Sequence, residues 1–466
     1  MEASNFISDN CKSVNYADFN SYFRILDNHP ELGKLSPDSV VHFYFANNTV
    51  SALVFLYLIT KEINIFLSKD DDDIKVPGFC SHKLKIADDE ENEINKALFA
   101  DIIHFKKIDE TKRFGSTNNI IFETSGSTGK SKFVVVKKED LLNNAKNFLK
   151  RITITEKDRV FITVPCYHMY GLGAAFLPAY LAGATIRLLN KNNVIKYIET
   201  DKAFNPTIVY HVPTMIKQIT KIYKSSNKYR LSVVAGDKID AENFSNYESK
   251  FGTLVNLYGS TELGAIATSL PEDPVEIRAD GFLKFLPGVK YRLNTVQEGA
   301  SILEINHPFR FSCYINSNGE ILTNDGERVT AMTEWYNSND LCKIDTSGYF
   351  KILGRFNNSV NRNGKLISIS EIESIIDQGV NEIEKCLVTQ VSENTIRGNK
   401  LILYYLPKME FMEKDIDIRK ACFNIMEKDF VPDVAVKIKK IPVLDNGKID
   451  RVSLQNLYKN EGKNNS

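Results

Sequence analysis

Residues Ile120–Lys132 read Ile-Ile-Phe-Glu-Thr-Ser-Gly-Ser-Thr-Gly-Lys-Ser-Lys. The apolar start predicts a strand, and the residues after it compose a loop suited to phosphate. Gly126 and Gly129 let backbone N–H groups converge on an anion with no Cβ in the way. Thr124, Ser125, Ser127 and Thr128 contribute hydroxyl donors, and Lys130 and Lys132 contribute positive charge. Gly129-Lys130-Ser131 looks like the end of a P-loop, but that loop needs glycine at position 124, where threonine stands. The spacing, and the lack of a matching acid at a strand end, disfavour a P-loop ATPase or a kinase.

The chain around this loop has the composition of an ordinary globular enzyme. Its 466 residues leave room for roughly two to three domains. The 59 basic residues balance 59 acidic ones, so no net field exists to attract nucleic acid. Met1–Phe6 carries neither a basic segment nor an apolar run, so no secretory signal is expected there. Ser51–Thr60 is the longest apolar stretch; it is about half a membrane-spanning length and predicts a buried helix. Seven cysteines between Cys11 and Cys422 form no Cys-x-x-Cys pair. That argues against a disulfide framework or a zinc site and makes the cytoplasm the expected compartment.

Val40–Phe45, Val50–Lys61 and Ile63–Leu67 read as strand, helix and strand, the unit of a largely parallel sheet. The alternation recurs with strands at Phe161–Val164 and Thr207–His211. A helix at Pro213–Tyr223 follows, carrying Met215, Ile216, Ile219 and Ile222 on one face. Leu231–Ala235 and Leu254–Tyr258 are two more strands, each ending in a glycine-containing turn, where such sheets carry function. The four acids Asp70–Asp73 cannot all face one ion and read as a solvated loop. Beyond Gly354 the pattern becomes a small α+β module. It has a helix at Glu371–Ile376, paired strands at Lys385–Val391 and Lys400–Leu406, an amphipathic helix at Ile416–Phe430, and a polar tail at Lys459–Ser466 expected to be disordered.

Three further segments carry chemistry. Asn256-Leu257-Tyr258-Gly259-Ser260-Thr261-Glu262 directly follows a predicted strand. An aromatic there can stack on a purine, a threonine hydroxyl can bond an α-phosphate, and a carboxylate can hold Mg2+. The blander alternative is a strand leading into a helix capped by Ser260 or Thr261. Asn339-Asp340 precedes Gly348-Tyr349-Phe350-Lys351-Ile352-Leu353-Gly354-Arg355; the two carboxylate oxygens of Asp340 suit a vicinal diol, and Asp345 is a nearby alternative acid. Ile441-Pro442 leads to Leu444-Asp445-Asn446-Gly447-Lys448-Ile449-Asp450-Arg451. A mobile lysine on such a turn can reach a carboxylate and a phosphate together, although an isolated Asn-Gly turn would read as a surface hairpin.

Together and in this order, the four segments resemble the signatures of the adenylate-forming superfamily: acyl-CoA synthetases, aryl-CoA ligases, luciferases and the adenylation domains of non-ribosomal peptide synthetases. The first loop is similar to Thr-Ser-Gly-Ser/Thr-Thr-Gly-x-Pro-Lys, with Ser131 in place of proline. The others resemble Tyr-Gly-x-Thr-Glu, then Thr-Gly-Asp with its following Gly-Arg, and finally Pro-x-x-x-Asn-Gly-Lys-x-x-Arg. The third departs in having Ser338-Asn339 for Thr-Gly. The resemblance implies an α/β fold with a large N-terminal domain, residues 1–355, of several subdomains whose mixed and parallel sheets are flanked by helices. A small mobile α+β domain, residues 356–466, would carry the catalytic lysine, with the hinge near Asn357. The segment before Thr124 is shorter than is usual, and part of the first subdomain is expected to be trimmed.

The resemblance also implies roles. Thr124–Lys130 with Lys132 would hold the ATP phosphates, and Gly236, Asp237, Tyr258, Gly259 and Ser260 the nucleotide. Asp340 and Arg355 would hold the ribose, Thr261 the α-phosphate and Glu262 the Mg2+. Lys448 would act in catalysis. Val164-Pro165-Cys166-Tyr167-His168-Met169-Tyr170-Gly171 looks like the segment in which acyl- and aryl-CoA synthetases place a histidine against the substrate carboxylate, although a lone histidine there could also be core. Amino-acid-adenylating relatives place an aspartate in this segment, and none is present, which points to a small aryl or fatty acid without an α-amine. Its tail would lie by His168, Thr214, Gly236-Asp237 and Gly264-Ala265.

The implied reaction forms an acyl-adenylate from ATP and then transfers the acyl group to the thiol of coenzyme A or of a carrier protein's phosphopantetheine arm. The carrier would act in trans, because few residues follow Arg451. Asn357 and Asn361 replace residues customary at the hinge and the thiol-stage surface, so the adenylation half is the better supported. The other readings are an amino-acid-adenylating stand-alone domain and a degenerate homologue that binds nucleotide or acyl ligand without turnover.

Overall fold

The computed structural model describes residues 5–69, 76–87, 94, 96, 99–109, 114–124, 132–190, 193–225, 228–297, 299–322, 334–362, 365–395, 398–414, 416–442 and 453–454. The chain gathers into two compact units. One is Met1–Lys290 with Asn306–Glu334; the other is Tyr291–Ile305 with Trp335–Ser466. The strands Tyr336–Ile344 and Phe350–Arg355 thus pack with the C-terminal module. A division between residues 355 and 356 concerns which parts move, and packing alone does not decide it. The tetrad at 70–73 and the tail at 459–466 lie outside the described residues.

The first unit is built on two sheets. In one, eight strands run in the order Ile321–Leu322, Cys313–Ile315, Lys132–Lys137, Asn119–Thr124, Asn64–Leu67, Val40–Phe43, His82–Ile86, Ile103–Lys107. The expected strand–helix–strand unit opens it, with Val40–Phe43 and Asn64–Leu67 parallel around the helix Thr49–Thr60. Asn48 starts that helix by accepting from the Ser51 N–H at 2.8 Å. Residues 49–58 are buried on every side, so this is a core helix without a polar face.

The second sheet carries the parallel strands. Its order is Phe282–Phe285, Gly264–Thr268, Gly252–Ser260, Tyr229–Val234, Ile208–His211, Arg159–Ile162, Thr185–Leu188, Phe6–Ser8, Ser13–Asn15. From Gly252–Ser260 to Phe6–Ser8 every neighbouring pair is parallel. The helices Pro213–Ile222 and Ala241–Phe251 make the crossovers and bury Met215, Ile216, Ile219, Phe244, Tyr247 and Phe251 beneath the sheet. Ile222 does not join that face: the helix ends there, and its side chain is 67% exposed.

The buried histidines of this unit include His42, His211 and His307. Burial pulls the His42 imidazole down to about 4, with Lys83 adding to the effect, His211 down to about 3, and His307 to about 4 despite its contact with the Ala265 carbonyl. The folded chain keeps these rings neutral in a pH range where the unfolded chain, near 6.5, takes up protons. Their stabilisation is therefore complete above pH 6.5 and is lost as pH falls toward 4. Urea unfolding at pH 5 should show a loss of about 2 kcal/mol per histidine relative to pH 7.5. An unfolding midpoint that does not change over that interval would contradict the burial.

The second unit has one antiparallel run, Lys290–Gln297, Ala300–Asn306, Tyr336–Ile344, Phe350–Arg355, and a five-stranded sheet. In the latter the strands Ile383–Thr395 and Gly398–Pro407 pair antiparallel, as expected, with Leu387 opposite Tyr404. The helix Ile369–Gly379 packs Ile372 and Ile376 on them. The helix expected at 416–430 spans only Ile418–Ile425. Met426 is extended, yet Met426 and Phe430 still pack against the same core, so the apolar spacing continues where the helix does not.

Candidate active site

The functional segments of the second sheet leave it at one edge. Arg159–Ile162, Ile208–His211, Tyr229–Val234 and Gly252–Ser260 are adjacent and parallel, so their C-terminal ends lie side by side. Those ends deliver His168, Thr214, Gly236-Asp237 and Tyr258–Glu262 in turn. At the usual strand spacing of about 4.8 Å, four strand ends cover about 14 Å, enough for an extended ligand. The carboxyl edge of parallel strands is where open α/β sheets bind ligands.

At the first end, His168 is exposed, its ring tilted at 51° against Tyr167 with centroids 4.4 Å apart, so the core alternative does not hold. The turn that presents it is held from below. Asn47 is buried and pairs like a short strand, donating to the Val164 carbonyl at 2.8 Å and accepting from the Cys166 N–H at 2.9 Å. A π-helical turn, Tyr170–Phe176, follows. Gly171 has no alternative within it, because a Cβ would stand 2.1 Å from the Pro165 carbonyl oxygen. At the next two ends Thr214, Gly236 and Asp237 are exposed.

At the fourth end, the strand runs through Tyr258, Gly259 and Ser260 and turns straight into the antiparallel strand Gly264–Thr268. No helix follows, so the capped-helix alternative is wrong. Gly264 makes the turn possible at φ +64°, where it lies against Asn144. Asn144 donates to the Leu263 carbonyl at 2.9 Å and accepts from the Ala265 N–H at 3.0 Å. Tyr258, Ser260, Thr261 and Glu262 are half-buried and Gly259 is exposed. The Glu262 carboxylate accepts from the Tyr314 hydroxyl at 2.8 Å, and its backbone carbonyl accepts from the Phe311 N–H at 2.7 Å.

In the other sheet, Thr124 ends its strand opposite Lys132, and its hydroxyl donates to the Lys132 carbonyl at 3.0 Å. This pairs the two strand ends that flank residues 125–131. Ser125, Gly126, Ser127, Thr128, Gly129 and Lys130 lie outside the described residues, as does Lys448.

The second unit holds Asp340 and Arg355 directly opposite each other on paired strands. Arg355 Nε lies 2.9 Å from Asp340 Oδ1, and its Nη1 donates to the Ser338 carbonyl at 3.0 Å. Asp345 is a turn residue instead, accepting from Ser347 and Tyr349; the Ser347 hydroxyl foremost holds its carboxyl below the usual range. Asn339, the departure from glycine, has φ +56°. Asparagine is the side-chain-bearing residue best suited to that conformation, so the turn is kept. Ser338 Oγ donates to the Leu303 carbonyl at 2.7 Å and accepts from the Asp340 N–H at 3.1 Å, so the hydroxyl of the Thr-Gly-Asp pattern is kept as well.

Asn47, Asn144 and Tyr314 were not found from sequence. Each acts on a segment far away along the chain, and no local pattern marks it.

Residues 45–301 match the family model described as AMP-binding enzyme. The medium-chain acyl-CoA ligase ACSF2 of Rattus norvegicus, a mitochondrial protein, is 24% identical over 353 residues, 72% of this chain and 57% of the relative. Benzoate–CoA ligase of Thauera aromatica is 25% identical over 71% of this chain and 64% of its own length. The chain thus spans less than two thirds of these curated relatives. Among solved structures, o-succinylbenzoate CoA synthetase of Bacillus subtilis with its acyl-adenylate intermediate superimposes with a TM-score of 0.76 at 16% identity, covering 97% of this chain and 96% of that one.

Proposed function

The chain belongs to the AMP-binding enzyme family, and from that membership we propose that it activates a carboxylic acid with ATP and passes the acyl group to a thiol. A carboxylate oxygen of the acid attacks the α-phosphorus, the bond to the β-phosphate breaks, and pyrophosphate leaves. The thiol sulfur then attacks the acyl carbon, AMP departs with the electron pair of the broken C–O bond, and the thiol proton passes to solvent. The observation that carries this reading is the row of four adjacent strand ends presenting His168, Thr214, Gly236-Asp237 and Tyr258–Glu262.

Within that row, His168 is assigned to orient the acid, Tyr258 to stack on the base and Thr261 to bond the α-phosphate. The loop from Thr124 to Lys132 is assigned the β- and γ-phosphates, Asp340 with Arg355 the ribose, and Lys448 the charge shared by carboxylate and α-phosphate. Glu262 is assigned the Mg2+. Among the described residues no group of three or more His, Cys, Asp or Glu side chains could hold a metal alone. Glu262 fits the magnesium pattern of one carboxylate completed by phosphates and water, and the ion would neutralise phosphate charge. The small module, from 356 on, is assigned the movement between the two steps, with Asn357 as hinge.

The absence of aspartate from 164–173 supports an acid without an α-amine. The names of the two relatives favour coenzyme A over a carrier protein as acceptor. The seven unpaired cysteines fit a reducing compartment such as the cytoplasm, and among the described residues no helix is long and apolar enough to cross a membrane. Acid-dependent ATP–pyrophosphate exchange across aryl, fatty and amino acids tests the proposal. Exchange is expected with an aryl or fatty acid, and exchange with none of them would sink the enzymatic reading.

A further inference from the structure

We propose that Tyr314 is a positioning residue that sets the Glu262 carboxylate for its divalent cation and ties it to the end of the phosphate loop; this rests on the ATP site proposed above. Tyr314 lies on the strand Cys313–Ile315, opposite Val134 of the strand that begins at Lys132. It is 5% exposed, and Phe311 packs on its ring at 4.8 Å. Its hydroxyl donates to Glu262 Oε1 at 2.8 Å, and the Lys132 ammonium stands 5.8 Å from its ring centroid.

One rigid side chain therefore bonds the assigned metal ligand and has Lys132, at the end of the assigned phosphate loop, over its ring. The terminal torsion of a glutamate is soft, so without a donor the carboxylate samples many orientations. The phenol commits Oε1, and Oε2 has no hydrogen-bond or ion-pair partner among the described residues. That leaves one oxygen directed as a single ligand, the mode magnesium takes when phosphates complete its shell. The Phe311 N–H on the Glu262 carbonyl fixes the backbone from the same short segment.

The test uses the full chain and the Tyr314→Phe variant, which keeps the ring and removes only the hydroxyl. Mn2+ binding in the presence of a non-hydrolysable ATP analogue is read by electron paramagnetic resonance. The dissociation constant is expected to rise about tenfold, the size of a lost hydrogen bond to a charged group. The Mg2+ dependence of exchange should shift by a similar factor with the KM for acid unchanged. Tyr16→Phe, which removes a phenol that donates to the Ala184 carbonyl at 2.6 Å, should leave Mn2+ binding unaltered. Equal Mn2+ affinity in Tyr314→Phe and the parent would overturn the assignment to Tyr314 and leave the ATP site standing. A parent chain that binds no Mn2+ with the nucleotide would overturn both.

Discussion

Replacing Lys448 by alanine is expected to lower acid-dependent pyrophosphate exchange by about 10²- to 10³-fold while leaving ATP affinity nearly unchanged. The size follows from the place where charge changes. In adenylation the carboxylate's negative charge moves onto the α-phosphate, and an ammonium reaching both gains most at the transition state. On the proposed assignment, ATP in the ground state would already have the loop at Thr124–Lys132 and Glu262 to meet its charge. The lysine's setting can also be read. Ile438 and Ile441 before it and Leu454 after it pack on Leu387, Ile402 and Tyr404, and Tyr404 donates to the Leu454 carbonyl at 2.6 Å. The described residues on either side of 443–452 thus pack on the small sheet. Lys448→Arg should not restore activity, because a planar guanidinium cannot replace a compact point charge at two acceptors. Exchange kinetics and calorimetric ATP binding decide the matter: equal losses in both would mean that Lys448 serves binding, and the catalytic role would be wrong.

What could be read in the sequence was local. The unit Val40–Leu67 showed because an apolar helix between two apolar strands needs no distant partner to be recognised. The four motifs could be picked out because the phosphate, ribose and metal roles proposed for them each constrain a few adjacent residues. Asn339 looked like a defect only while its φ of +56° was unknown. The alternative of a capped helix after Thr261 fails because Gly264, at φ +64° against Asn144, returns the chain as a strand, and no propensity near Glu262 reveals a partner 119 to 121 residues away. The helix at 416–430 was overextended because Met426 and Phe430 are half-buried from irregular backbone, where spacing mimics a helical face. Asn47 and Tyr314 were out of reach for the same reason: their partners lie 119 and 52 residues away, and only the folded sheets bring them together.

The second large effect concerns stability. Asp433→Ala should destabilise the C-terminal unit by about 3–5 kcal/mol, the cost of leaving a buried charge without its partner. Arg362 is 0% exposed; its Nη2 lies 2.8 Å from Asp433 Oδ1 and its Nη1 donates to the Val431 carbonyl at 3.2 Å, while its Nε has no partner among the described residues. A guanidinium cannot shed its proton to escape such a site. Asp433 is doubly used, because its Oδ2 accepts from the Leu401 N–H at 2.8 Å and its own N–H donates to the Leu401 carbonyl at 2.9 Å. The pair thus joins the strand Ser359–Arg362 to the central strand Gly398–Pro407. Arg362→Met combined with Asp433→Ala should recover most of the loss, since an apolar replacement needs no counter-charge. Urea unfolding of the parent, both single variants and the double variant measures the coupling directly. A single-variant loss below about 1 kcal/mol, the size typical of a surface pair, would mean that water reaches Arg362 and that the pair is not buried.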